Sequence, residues 1–107
     1  MTEITFIRQG NLLQGFVCQG HAGYADKGYD IVCAAITAQV TTCINALESV
    51  AGVTPIVKTN TRKPSISATL PKVSDVQMHD CQVILKVLEQ GAKDLLENYP
   101  EFIRIGG

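Results

Sequence analysis

Residues 12–50 read LLQGFVCQGHAGYADKGYDIVCAAITAQVTTCINALESV and contain three patterns in succession. The first, Leu12–Gln19, is rich in apolar and aromatic residues, which predicts a β-strand. Residues 20–29 contain three glycines and no apolar period, which predicts a loop. From residue 31 to about residue 51, apolar side chains recur every three or four positions, which is typical of an amphipathic helix. A strand, a glycine-rich loop and a helix are therefore expected in this order.

The two ends of this helix carry capping residues. Asp30 stands where an N-cap residue is expected, and Gly52 stands where a C′ glycine is expected. In the preceding strand, simple alternation places Leu13 and Val17 on one face and Phe16 on the other, so neither face is cleanly polar. Both faces of the strand are therefore expected to be covered, one of them by a partner.

The rest of the chain predicts a small α+β domain. Residues 4–7 form the first strand of a hairpin, and residues 54–60 and 65–70 form a second hairpin. Ser74 and Gln77 make a capping box at the start of a second helix, which Tyr99-Pro100 ends before a last strand at 102–105. The predicted order is ββαββαβ in one domain, 1–107, with two helices packed on a mixed, mostly antiparallel sheet.

The composition excludes several classes of protein. Apolar residues make up 46% of the 107 residues and charged residues 18%, so the chain is not intrinsically disordered. The net charge of −1 removes the overall electrostatic attraction on which non-specific nucleic-acid binders depend. No strong nucleic-acid binding is expected.

The four cysteines and the N-terminal segment indicate the cellular compartment in which the protein is expected. Glu3 and Arg8 interrupt the first apolar run, which lacks the h-region of a signal peptide, and no run of 18 apolar residues occurs. We therefore expect a cytoplasmic protein with free thiols. No CxxC pair is present, and Cys18 with His21 has no complementary ligand pair, so neither a metal nor another cofactor is expected.

His21 and Cys33 are the residues that are able to carry chemistry. Cys33 is at the third position of the predicted helix, where unpaired N–H groups and the helix dipole favour a thiolate. The glycine loop is long enough to bring His21 back to it as a general base, and N–H groups at the helix start would stabilise an oxyanion. The residues alone also allow an alternative without catalysis, in which Cys33 is a small core residue and His21 is a polar surface residue.

The stretches Gly20-His21-Ala22 and Gly28-Tyr29-Asp30-Ile31-Val32-Cys33-Ala34-Ala35-Ile36-Thr37 resemble the signature of the ribosomal-processing cysteine proteases called Prp. The resemblance extends over nearly the whole chain, to Tyr99-Pro100. It implies a bacterial endopeptidase that removes a short N-terminal extension from a large-subunit ribosomal protein, cuts after aromatic residues and acts as a homodimer.

Carried over by position, the resemblance makes His21 the general base and Cys33 the nucleophile. Gly20, Asp30 and Thr37 would support them, with Asp30 either capping the helix or orienting His21. Thr37 replaces the serine common in the family but keeps the hydroxyl, and Tyr29 departs from the small or acidic residue usual there. The substrate lid would be formed by Ala22, Gly23, Tyr24, Gly28 and Tyr29.

Two other functions stay open on the sequence. Lys58, Arg62, Lys63 and Lys72 surround the second predicted hairpin and would suit a non-enzymatic, ribosome-associated module that binds RNA or protein. A thiol redox sensor is the other alternative, and it requires a stable oxidation partner for Cys33.

Overall fold

The computed structural model describes residues 1–20 and 27–107, and for residues 27–30 it describes the backbone only. Five strands and two helices follow one another in the predicted order ββαββαβ. They are β1 (Thr2–Gln9), β2 (Leu12–Gln19), α1 (Lys27–Ser49), β3 (Ile56–Asn60), β4 (Ser65–Thr69), α2 (Asp75–Asn98) and β5 (Ile103–Gly106). The strands form one sheet in the order β3-β4-β2-β1-β5, antiparallel except for the parallel pair of β1 and β5. The predicted α+β architecture with a mixed sheet is confirmed.

A β-bulge in the first hairpin corrects the predicted faces of β2. Ile7 pairs with Gly15 and Arg8 pairs with Leu13, so Gln14 has no residue opposite it on β1. An extra residue on one strand interrupts the alternation of side chains. As a result Leu13 and Phe16, which simple alternation puts on opposite faces, are both buried in the core.

Both helices contribute one apolar stripe to the core. On α1 the buried stripe follows the predicted spacing of three or four residues, and on α2 it does the same. The buried apolar residues of the helices are Val32, Ile36, Val40, Cys43, Leu47, Cys81, Leu85, Leu88 and Ala92; those of the strands are Ile4, Phe6, Leu13, Phe16, Ala68 and Ile103. By length and composition alone, Ile31–Ser49 is apolar enough to cross a membrane, a test that the core helix of a soluble protein also passes.

The helix ends follow the predicted caps in three cases out of four. Gly52 has φ of 68° and its N–H donates to the Glu48 carbonyl oxygen at 3.1 Å, which ends α1 as expected. Ser74 caps α2 with a complete capping box, and Tyr99 follows its last residue. The exception is the start of α1. This helix begins at Lys27, so Asp30 is its fourth residue and is not the N-cap.

The early start of α1 has a simple physical reason. Three glycines and the missing apolar period over residues 20–29 predicted a loop, but the first turn of a helix needs no apolar side chain when its buried stripe begins at Val32. Gly28 and Tyr29, predicted to lie in the loop, therefore have helical backbone. The remainder of that predicted loop, residues 21–26, lies outside the described residues.

Gln82 of α2 ties the bulged strand to the helix layer. This side chain is 8% exposed, and its Nε2 donates to the Leu13 carbonyl oxygen at 2.7 Å while its Oε1 accepts from the Leu13 N–H, also at 2.7 Å. Both backbone groups of Leu13 are thereby satisfied at the position where the bulge disturbs the strand pairing. A buried backbone group without a partner costs free energy, so the amide holds the bulge in place.

We expect Gln82→Leu to lower the free energy of unfolding by about 2 to 4 kcal/mol, because the N–H and the carbonyl of Leu13 would both lose their partner. Urea denaturation followed by circular dichroism measures the change. The matched control is Gln9→Leu, the same substitution at an exposed position of the same hairpin. Equal stabilities of the two variants would contradict this role of Gln82.

Two thiols in the core make stability dependent on alkaline pH. Burial raises the pKa of Cys43 from about 9 to about 12, and the nearby thiol of Cys81 adds to the effect. Burial also raises the pKa of Cys81. Because the folded chain keeps the Cys43 proton longer than the unfolded chain does, its stabilising effect is complete below pH 9 and is lost as the pH rises toward 12.

The free energy of unfolding should therefore fall between pH 9 and pH 12, and part of this fall should disappear in Cys43→Ala. Urea titrations at several pH values in this range, on the wild type and the variant, give the two slopes. Since Cys43→Ala also removes packing, only the difference in slope is informative. Parallel profiles would show that Cys43 does not titrate with unfolding.

Candidate active site

Cys33 lies inside α1, two turns from its start. It is the seventh residue of the helix and is half-buried, next to the fully buried Val32. An N–H at such a position is bonded to the carbonyl four residues earlier, and the dipole effect is confined to the first turn. The expectation that Cys33 lies at the third helical position is wrong, and with it the argument that unpaired N–H groups of the helix start act on this thiol.

The end of β2 approaches Cys33. Cys18 lies on the inner face of the sheet, where it packs against the core, one residue before the strand ends. Burial raises the pKa of the Cys18 thiol to about 11, and the adjacent Cys33 thiol raises it further. The structure therefore places Cys18 near Cys33, a proximity that no local pattern in the sequence predicted.

Gly20 determines how the chain leaves β2. Its φ is 102°, and a Cβ atom there would meet the Met1 carbonyl oxygen and would lie 2.9 Å from the Thr2 Cα. The backbone of β1 passes too close for any other residue, and a left-handed φ is strained for side chains other than glycine. Gly20 thus fixes the direction in which the chain leaves β2.

The other predicted site residues fall into two groups. Thr37 is exposed on α1 one turn after Cys33, so the two side chains are neighbours on the helix surface. His21, Ala22, Gly23 and Tyr24 lie outside the described residues, and Gly28, Tyr29 and Asp30 are described by their helical backbone alone.

A polar cavity of about 510 Å³ opens beside Gly20 at one end of the sheet. Glu3 accepts a hydrogen bond from Gln19 Nε2 at 2.9 Å and lies 3.7 Å from Arg104. The remaining lining residues are Met1, Arg62, Lys63 and Pro64. Arg104 was missed by the sequence analysis because it is distant in the chain, and only the parallel pairing of β5 with β1 brings it to this edge.

The basic residues singled out in the sequence do not form one patch. Arg62 and Lys63 lie in the turn that precedes β4, whereas Lys72 follows β4 and so lies at the opposite end of the sheet. Lys58 is on the exposed edge strand β3 between them. Arg62 and Lys63 therefore line the cavity together with Arg104, whereas Lys58 and Lys72 do not.

His79 and the core thiols are separate from this site. His79 is exposed on α2, and its Nδ1 lies 3.1 Å from Asp80 Oδ1. Across residues 1–20 and 27–107, no three His, Cys, Asp or Glu side chains come together as a metal site would require.

Several solved structures have the same fold as this chain. In solved structures, SMU.848 from Streptococcus mutans is similar at 30% identity with a TM-score of 0.88, covering 99% of this chain and 92% of that one. The essential ribosomal processing protease Prp from S. aureus in complex with a covalently linked product peptide has the same fold at 21% identity, with a TM-score of 0.82 and coverage of 99% and 98%. Its complex with a substrate peptide gives 22% identity, a TM-score of 0.81 and coverage of 98% and 95%.

No curated protein matches the sequence. The family model described as cysteine protease Prp matches residues 1–104, which includes β2, the whole of α1 with Cys33, and the polar end of the sheet. This match covers nearly the full length of the chain, and it confirms the resemblance noted in the sequence. The chain belongs to the cysteine protease Prp family.

Proposed function

We propose that this chain is a cysteine endopeptidase in which Cys33 is the nucleophile and His21 the general base. The substrate is the N-terminal extension of a large-subunit ribosomal protein, cut after an aromatic residue, in a bacterial cytoplasm. The observation that carries the proposal is the family match over residues 1–104. The approach of β2 to Cys33 supports it, because His21 follows Cys18 by three residues, a span of about 10 Å in extended chain.

The reaction is an acyl transfer in two halves. His21 takes the proton of the Cys33 thiol, and the thiolate attacks the scissile carbonyl carbon to form a tetrahedral oxyanion. Collapse of this intermediate breaks the C–N bond, and the imidazolium of His21 gives its proton to the departing amine. Water, deprotonated by His21, then hydrolyses the thioester and restores the Cys33 thiol.

The described geometry changes one part of this mechanism. Because α1 begins at Lys27, the N–H of Cys33 is held inside the helix and is not available to the oxyanion. The oxyanion donors of the proposed mechanism are therefore groups other than the Cys33 N–H. We assign Asp30 the role of orienting His21, because α1 begins three residues before it.

The substrate peptide would reach Cys33 past the polar cavity beside Gly20. A cavity of this size takes one or two side chains of an extended peptide, and its walls offer donors from Arg62, Lys63 and Arg104. The lid would consist of Ala22, Gly23 and Tyr24, with Gly28 and Tyr29 at its helical border. Thr37 would support the site from the next turn of α1.

We expect Cys33→Ala to fold and to abolish cleavage of a peptide whose extension ends in aromatic residues, a loss of about 10⁴-fold or more. Liquid chromatography with mass spectrometry measures the two products. The matched control is Cys18→Ala, which removes the adjacent thiol. Because burial keeps the Cys18 thiol protonated at neutral pH, this variant should retain turnover.

Retained turnover in Cys33→Ala, or its loss in Cys18→Ala alone, would contradict the assignment of the nucleophile. Replacement of the aromatic residue before the cut by glycine should also stop cleavage.

The RNA-binding module is the alternative function. Salt-dependent RNA binding that survives in inactive Cys33→Ala would favour this alternative. Two observations oppose RNA binding: Glu3 lies among the three cations of the cavity, and the net charge of the chain is −1.

Alkylation of Cys33 by iodoacetamide should slow by about tenfold or more in His21→Ala, because the imidazole no longer takes the thiol proton. Mass spectrometry of tryptic peptides reports the rate at Cys33 separately from that at Cys18. His79→Ala is the matched control, since His79 is exposed on α2 and should leave the rate unchanged. Equal rates in the wild type and His21→Ala would remove His21 as the base.

The family resemblance also implies that the enzyme acts as a homodimer.

A further inference from the structure

The end of β2 carries a thiol that the proposed peptidase reaction does not use. Cys18 pairs with Ile4 of β1 and with Ile66 of β4, and all three side chains pack on the inner face of the sheet. The helices lie on this face, and α1 packs on β1, the strand next to Cys18. Cys18 is therefore at the boundary between the sheet and the helix that carries Cys33.

Cys33 reaches the same boundary from the helix side. It follows the fully buried Val32 and is itself half-buried, so its side chain is partly covered and partly open to solvent. The Cys33 thiolate also acts electrostatically on the Cys18 thiol, an effect that weakens with distance. The two thiols thus form a pair between β2 and α1.

The other two cysteines form a separate pair in the core. Cys43 is ten residues after Cys33 on α1, about 15 Å along the helix axis, and it lies near Cys81 of α2. These two thiols are 5% and 0% exposed, so a small oxidant in water does not reach them in the folded protein. Cys18 is therefore the thiol that is placed to react with Cys33.

We propose that Cys18 is a resolving thiol: once a peroxide has oxidised Cys33, Cys18 forms a disulfide with it, and a dithiol reduces this bond again. The proposal rests on the proposed function, because it takes Cys33 as the reactive nucleophile. The disulfide would occupy the sulfur that attacks the peptide, so the oxidised enzyme would be inactive. It would also protect this sulfur from irreversible oxidation.

The oxidation takes place in two steps. The Cys33 sulfur attacks one oxygen of hydrogen peroxide, the O–O bond breaks, and Cys33 becomes a sulfenic acid while the other oxygen leaves as water. The Cys18 sulfur then attacks the Cys33 sulfur, the S–O bond breaks, and the hydroxyl leaves as water with the Cys18 proton. The two thiols together lose two electrons and two protons, and the peroxide becomes two waters.

The environment of Cys18 suits the second step better than the first. Burial raises the pKa of its thiol to about 11, so Cys18 stays protonated at neutral pH and is not itself attacked by the peroxide. The charge of the Cys33 thiolate adds to this rise. Conversion of Cys33 to a neutral sulfenic acid removes that charge, so Cys18 gives up its proton more easily after Cys33 has been oxidised.

Disulfide mapping tests the pair directly. The wild-type protein is treated with a small excess of hydrogen peroxide at neutral pH, the remaining thiols are blocked with iodoacetamide, and tryptic peptides are analysed unreduced by mass spectrometry. We expect a peptide linked through Cys18 and Cys33 that disappears after dithiothreitol. Because a disulfide needs Cα atoms about 4.4–6.8 Å apart, the linked peptide also reports how closely β2 and α1 approach.

Two variants separate the resolving role from packing. Cys18→Ala should cleave the peptide as the wild type does before oxidation, but its recovery with dithiothreitol after peroxide should be about tenfold smaller or less, because Cys33 proceeds to the sulfinic acid. The matched control is Cys43→Ala, which removes a thiol of the other pair and should keep both the linked peptide and the recovery. This control also identifies the linked cysteine, since tryptic peptide 28–58 contains Cys33 and Cys43.

Peroxide treatment that leaves Cys33 unchanged, or takes it to the sulfinic acid without a linked peptide, would overturn the inference. Equal recovery in the wild type and in folded Cys18→Ala, checked by circular dichroism, would do the same. The linked peptide is measured independently of turnover. Its presence in a protein that does not cleave the substrate would reject the peptidase and leave the resolving role, and cleavage without it would do the reverse.

Discussion

The bulge at Gln14, held by the two hydrogen bonds between Gln82 and Leu13, is the constraint on which the rest of the arrangement depends. It lets Leu13 enter the core on the same side as Phe16, and the inward direction continues to Cys18 at the end of the strand. Without the extra residue, one of the two large side chains would be turned to the outer face of the sheet. The Gln82–Leu13 contact at the start of β2 therefore helps to fix the inward position of Cys18, near Cys33, at the end of the same strand.

The site itself lies where this strand meets α1. Gly20 brings the chain out of β2 past the backbone of β1, and the proposed mechanism makes the next residue, His21, the partner of Cys33. Since Cys33 is well inside the helix, its reactivity has to come from its neighbours, and the dipole of the helix start contributes little. The proposed histidine base therefore has to account for more of this reactivity than it would for a thiol at the start of a helix.

Helix α1 serves two faces of the molecule at once. Its inner stripe, with Val32 and Ile36, holds the helix on the sheet next to Cys33, and its outer side has the apolar character of a contact surface. The same helix therefore positions Cys33 over the sheet and contributes an uncharged outer surface to the molecule.

Local patterns in the sequence determined the element order, the apolar stripes of both helices, the capping box at Ser74 and the end of α1 at Gly52, because each depends on residues a few positions apart. The motif around Cys33 also determined the family, which the match over residues 1–104 confirmed. The tertiary structure alone decided the bulge, the first turn of α1, the proximity of Cys18 to Cys33, and the position of Arg104 beside Gly20. These depend on strand register and on packing between segments distant in the chain, and no local pattern contains that information.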